Sequence, residues 1–189
     1  MIQSHADYLA YLKADQLALQ QHRNWKALLF DDVWRFQRLL RKLEYQINCR
    51  ANRLFRAWTN FRFRRLSRQL GFSIPPNVFG PGLAIAHAGT IVVNDHARVG
   101  ANCRLQVCVV IGTQAGHADA APRIGNNCYI GPGAKLFGRI QIGDNTAIGA
   151  NAVVNKDFPE GHVTLVGAPA RIVSDKGSDG LLIQGYPTT

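Results

Sequence analysis

The sequence predicts a mainly β protein, a parallel β-helix of hexapeptide coils preceded by an α-helical subdomain, and three observations lead there. Between Arg123 and Phe158, aliphatic residues recur at Ile124, Ile130, Leu136, Ile142, Ile148 and Val154, an unbroken period of six. The same period runs upstream through Phe79, Ile85 and Ile91, then through Val99, Leu105 and Ile111. The first 70 residues lack it and show helical spacing with a strong positive charge instead. A period of six suits neither an amphipathic helix nor a flat strand, but it suits stacked coils in which each hexapeptide is a short strand plus a turn. The residue after the aliphatic is often glycine (Gly125, Gly131, Gly143, Gly149), read as permitting the turn, and the fourth after it is often small (Cys128, Ala134, Thr146, Ala152).

Composition divides the chain the same way. The net charge is +10 over 189 residues, but residues 1–70 hold fourteen Lys and Arg against five Asp and Glu, leaving the remainder nearly neutral. An anionic partner would therefore meet the N-terminal part. Cys49, Cys103, Cys108 and Cys128 form no CxxC pair, and three of them fall where small residues pack within the coils. They read as reduced core residues of a cytosolic protein. His5, Asp7, Lys13 and Asp15 stand where a secretion signal would be apolar, and no stretch reaches transmembrane length. The expected location is cytoplasmic, with peripheral contact at the inner membrane face left open.

Three helices are expected before Gly71. Ser4 is a candidate N-cap, with Leu9, Leu12, Leu17 and Leu19 following to an end near Arg23 and Asn24. Asp31 and Asp32 suit the start of a second helix carrying Val33, Phe36, Leu39, Leu40, Leu43 and Ile47. A third spans 52–70, with Leu54, Phe55, Trp58, Phe61 and Leu66 as its apolar side. Arginine dominates the polar faces of the last two, including Arg35, Arg38, Arg41, Arg62 and Arg65. Such a surface fits a solvated face packed on a neighbouring subunit or a contact with anionic membrane lipid. No helix-turn-helix, zinc-finger or RNP-like signature supports nucleic acid, and none is expected as a partner.

Ile74, Pro75 and Pro76 then exclude helix, and the coils begin. The domain boundaries are 1–71 for the helices, 72–173 for about five coils and 174–189 for a tail that lies against a subunit or moves freely. The eight-residue step from Ile91 to Val99 predicts a two-residue extension of the turn holding His96, a solvated turn residue. The longer step from Ile111 to Ile124 predicts a loop at 113–122 that leaves the coil. An open end of the stack requires a cap, for which the helices are the candidate.

The hexads, the segment Ala86-His87-Ala88-Gly89-Thr90-Ile91-Val92-Val93 and the closing Val166-Gly167-Ala168-Pro169-Ala170-Arg171-Ile172 resemble the hexapeptide-repeat acyltransferases, most closely the serine acetyltransferase group, over residues 73–173. The resemblance implies a left-handed β-helix, a homotrimer with its active sites between adjacent protomers, and acetyl-CoA as donor. An alcohol needs a base to accept its proton as it attacks a thioester, and histidine suits that task at neutral pH. His87 stands among Ala84, Ala86, Ala88 and Gly89, which leave room beside the imidazole, and it matches the catalytic histidine of the group. By the same resemblance Ser73 takes the position of the residue that orients that histidine. Gly112, Thr113, Gly133, Ala134 and Ala152 would line the pantetheine arm, while Lys156 and Arg171 would meet the phosphates of CoA. His117 and Asp119, in the loop, are candidates for acceptor contact. A related family binds zinc through two histidines five residues apart; no such pair occurs here, and no metal is expected.

The residues depart from serine acetyltransferases where charge should meet an amino acid: Ser73 replaces an aspartate, Ala86 an acidic residue, Ala120 an arginine and Ala121 a histidine. The short basic N-terminus resembles that of small relatives found with surface-polysaccharide synthesis, and the end Gly185-Tyr186-Pro187-Thr188-Thr189 lacks the group's terminal isoleucine. The expected function is therefore O-acetylation of a sugar hydroxyl on a surface polysaccharide or its precursor. Serine O-acetylation is the alternative, and a catalytically inactive trimeric scaffold is the non-enzymatic one.

Overall fold

A computed structural model describes residues 1–20, 31–117 and 119–188. Among the described residues, three helices, α1 (His5–Ala18), α2 (Asp32–Asn48) and α3 (Arg53–Leu70), precede fourteen short strands. Ser4 caps α1 through a bond from the Asp7 amide, and Asp31 caps α2 through one from Trp34. The predicted end of the first helix near Arg23 lies outside the described residues.

The strands stack into three sheets, the faces of a triangular prism. Face A orders β1 (Phe72–Ser73), β3 (Ile91–Val93), β6 (Val110–Gly112), β9 (Lys135–Phe137) and β12 (Val153–Val154). Face B orders β4 (Arg98–Val99), β7 (Arg123–Ile124) and β10 (Gln141–Ile142). Face C orders β2 (Ala84–Ile85), β5 (Arg104–Leu105), β8 (Tyr129–Ile130), β11 (Ala147–Ile148) and β13 (Thr164–Gly167), then β14 (Ala170–Ser174), which folds back antiparallel. Ile85, Leu105, Ile130, Ile148 and Leu165 are ladder partners and fully buried, as are Ile111, Leu136 and Val154 on face A. Each such side chain contributes about 1.5–3 kcal/mol on burial. This is the predicted parallel β-helix with its N-terminal helical subdomain.

The glycines have a different purpose from the one expected. At Gly100, Gly125 and Gly143 an added Cβ would fall within 3 Å of the next coil's backbone, so glycine is required by close approach. The left-handed turn conformation belongs to Asn102, Asn127 and Asn145, each two residues further on, with φ of 54–57°. Their amides bond to one another from coil to coil, Asn102 to Asn127 at 2.8 Å and Asn127 to Asn145 at 2.9 Å. The tail lies on this ladder: Gly185 and Tyr186 donate to Asn102, and the Ser178 hydroxyl donates to the Asn127 carbonyl.

The helices cap the open end of the prism with polar side chains that replace a missing coil. Asp15 accepts from the amides of Gly82 and Leu83, Arg41 donates to the carbonyls of Phe79 and Gly80, and Gln37 both donates to Leu83 and accepts from Ile85. Arg41, expected on a solvated face, is 0% exposed and paired with Asp15 and Glu44. Burial alone would depress its pKa, but the two carboxylates hold it above the ordinary value. The same cap explains the inner face of α1, which buries Ala14, Asp15 and Ala18 and leaves Leu9 and Leu17 exposed, contrary to the leucine stripe expected. In α3 the buried side is Thr59, Phe63, Leu66, Ser67 and Leu70, whereas Leu54, Phe55, Trp58 and Phe61 point outward. Among the cysteines, Cys103 and Cys128 are buried as expected, but Cys108 is exposed at a turn with φ of 61°.

Candidate active site

The turn carrying His87 is set apart by register. Ile85 pairs with Leu105 and Val93 with Ile111, so eight residues here span what six span in the next coil. The two-residue extension therefore falls at 86–92 and not in the turn of His96, because Val93 and not Ile91 stacks upon Ile111. His96 closes an ordinary Asx turn instead, its amide donating to Asn94 Oδ1 at 2.8 Å. Ile91 keeps its place in the core by pairing with Phe72.

The extended turn is held by the end of α3. Gly71, at φ 75°, closes that helix, and the carbonyls of Leu70 and Gly71 accept from the amides of Gly89 and Ile91, each at 3.1 Å. An added Cβ on Gly71 would make ordinary contact with Gly89 backbone at 3.4 Å, so its left-handed φ, not crowding, is what calls for glycine there. His87 projects from this brace, exposed to solvent, and among the described residues no hydrogen bond or ion pair reaches its imidazole. The edge it occupies, between faces C and A, continues through Val107 and Cys108 to Gly133, whose amide donates to the Val107 carbonyl. With coils about 4.8 Å apart, that edge is a straight rail leading away from the histidine.

The other predicted residues distribute unevenly. Ser73 pairs with Val92 on face A and lines a groove with Leu43, Ile47, Phe72 and Pro75; no hydrogen bond among the described residues joins it to His87. Ala134 and Ala152 are fully buried, so they cannot line a ligand groove; their smallness fits the core corner. Gly112 ends β6, where an added Cβ would make only ordinary contact with the Val110 side chain at 3.7 Å, and Thr113 follows it half-buried. His117 is exposed in the loop, while Asp119, expected to contact acceptor, is paired with Arg139 at 2.8 Å. Lys156 lies over the Phe158 ring, and Arg171 is exposed on β14. Gly112, Thr113, His117 and Lys156 thus belong to the edge between faces A and B, across face A from His87. One chain brings neither set to the other. Lys135 was not anticipated: its ammonium donates to the carbonyls of Cys108 and Gly133 on the histidine edge, from a ladder position that holds valine in neighbouring coils.

Residues 121–156 match the family model described as bacterial transferase hexapeptide (six repeats). The chain is 39% identical over 115 residues to the serine acetyltransferase of Synechococcus elongatus, covering 59% of this chain and 47% of that one. It is 37% identical over 106 residues to that of Helicobacter pylori, covering 55% and 61%. The matches thus span less than two thirds of those relatives. Among solved structures, serine acetyltransferase from Brucella abortus superposes with a TM-score of 0.73 at 25% identity, over 92% of this chain and 72% of that one. A serine acetyltransferase in complex with CoA gives 0.70 at 26%, over 90% and 72%. The chain has the β-helix fold of these proteins, built from hexapeptide coils. The relatives named here are serine acetyltransferases.

Proposed function

We propose that this protein is an acetyl-CoA-dependent O-acetyltransferase in which His87 is the general base and the acceptor is a small hydroxyl compound, serine first among them. The observation that carries the reading is the lengthened, helix-braced turn that holds out one exposed imidazole. In the step proposed, a ring nitrogen of His87 takes the hydroxyl proton while the alkoxide oxygen attacks the thioester carbonyl. The tetrahedral oxyanion, met by a backbone N–H, collapses and breaks the carbon–sulfur bond; the departing thiolate receives the proton from the imidazolium. Acetyl-CoA supplies the activated acyl group.

The separation of the two edges supports a site assembled between protomers. In a threefold trimer, His87 of one copy would face Gly112, Thr113, His117 and Lys156 of the next, and the groove between them would receive the extended arm of CoA. The buried Ala134 and Ala152 drop out of that set, and Gly133 remains. Ser73 is not retained as orienting residue, and a group from the facing protomer takes that role in the proposal.

The comparisons favour serine over the expected sugar, since the relatives reported above are named serine acetyltransferases. A sugar hydroxyl stays as second reading on one specific observation: Ala86, Ala120 and Ala121 offer no charge to an amino acid, and the last two are buried. Thiol release from acetyl-CoA, followed with serine, homoserine and a panel of sugars, separates these. Acceleration by serine supports the first reading, acceleration by sugars alone the second, and no acceleration by any acceptor removes both in favour of a scaffold.

A further inference from the structure

We propose that the outer face of α3 docks the protein onto an anionic lipid surface. The helix is amphipathic twice over. Its inner stripe, centred on Phe63 and Leu66, is buried against α2 and the first strands. On the diametrically opposite side Leu54, Trp58 and Phe61 follow at helical spacing, 80%, 60% and 52% exposed, with the Trp58 and Phe61 rings stacked at 5.8 Å. The helix carries six arginines and no acidic residue, and Arg62 and Arg65 flank the rings. Asp32, a carboxylate bordering the patch, is paired with Arg35.

Large apolar side chains bordered by cations on a convex helix are the chemistry of an interfacial helix: rings and leucine enter the acyl boundary while guanidinium groups meet lipid phosphates. A second copy of this chain is the poorer occupant, because an isologous contact would set the same six arginines against themselves. Nucleic acid would use the arginines and rings but gain little from Leu54. Six of the ten net positive charges sit on α3 and residues 71–189 are nearly neutral, so the attraction would orient the molecule with α3 toward the surface.

The full chain is sedimented with vesicles of phosphatidylcholine alone and of phosphatidylcholine mixed with phosphatidylglycerol. The expected result is binding to the mixed vesicles only, weakened by salt, about fivefold weaker for each arginine removed in Arg62→Glu and Arg65→Glu, and lost in the Trp58→Ser, Phe61→Ser double variant. Acetyl-CoA thiol release in solution, a separate readout, stays unchanged in all of them. Absence of binding to mixed vesicles, or binding indifferent to these substitutions, overturns the proposal. So does a change of particle mass in the double variant, which would make the face a subunit contact, or tight binding of single-stranded RNA that vesicles do not displace.

Discussion

His87 is exposed and braced by the end of α3, so replacing its ring should remove chemistry and little else. His87→Ala is expected to lower kcat by about 10²–10⁴-fold with an unchanged melting temperature, measured by thiol release and calorimetry. The cysteines provide a second check at the same scale. Burial pushes the Cys128 thiol up to about 12 and raises Cys103 as well, so neither forms thiolate near neutrality. Iodoacetamide on the folded protein should modify Cys108 and spare Cys103 and Cys128 until urea exposes them, as peptide mass mapping would show. That the His87 ring would stand clear of the core was legible in the sequence, because its neighbours Ala86, Ala88 and Gly89 are too small to enclose it. Cys108 was not, because it stands one residue before the hexad position that buries Cys103 and Cys128, at the left-handed corner that Asn102 and Asn127 hold in their turns.

At the scale of elements, the capping helices hold the sharpest dependence on single groups. Asp15→Ala would leave Arg41 buried with two backbone amides bare; the expected loss is about 3–5 kcal/mol in urea unfolding, with cooperativity kept if the cap and coils melt together. The twelve periodic apolar residues from Phe79 to Val154 all lie in the core, since six residues per face admit only one register. Which turn was lengthened could not be read from spacing alone: both Ile91 and Val93 are buried, and only the pairing of Val93 with Ile111 decides between them. The sequence also held a signal that went unread. Asparagine stands two places after Gly100, Gly125 and Gly143, and a repeated Gly-x-Asn marks a coil corner where glycine allows contact and asparagine supplies the left-handed turn. In α3 the sequence was read as one apolar side, but the structure buries Leu66 and turns Leu54, Phe55, Trp58 and Phe61 outward, and nothing local says which apolar residues meet the prism.

For the whole molecule, the proposed trimer makes a prediction no single chain can satisfy. His87→Ala and Lys156→Ala variants, each weak alone, should regain about a quarter of full activity when unfolded together and refolded as a mixture, since random assembly reunites two intact edges in that share of sites. No recovery would place all the machinery within one protomer. The buried alanines and the Asp119–Arg139 pair escaped the sequence because both depend on which coil neighbours which. The tail has a mechanical consequence. Gly185 packs so closely on α1 that a Cβ there would meet the Ala14 carbonyl, while Tyr186 exchanges bonds with Asn102. Tension applied at the C-terminus would strain the Thr188–Asn127 bond first and this latch next, so the tail would peel from its outer end inward.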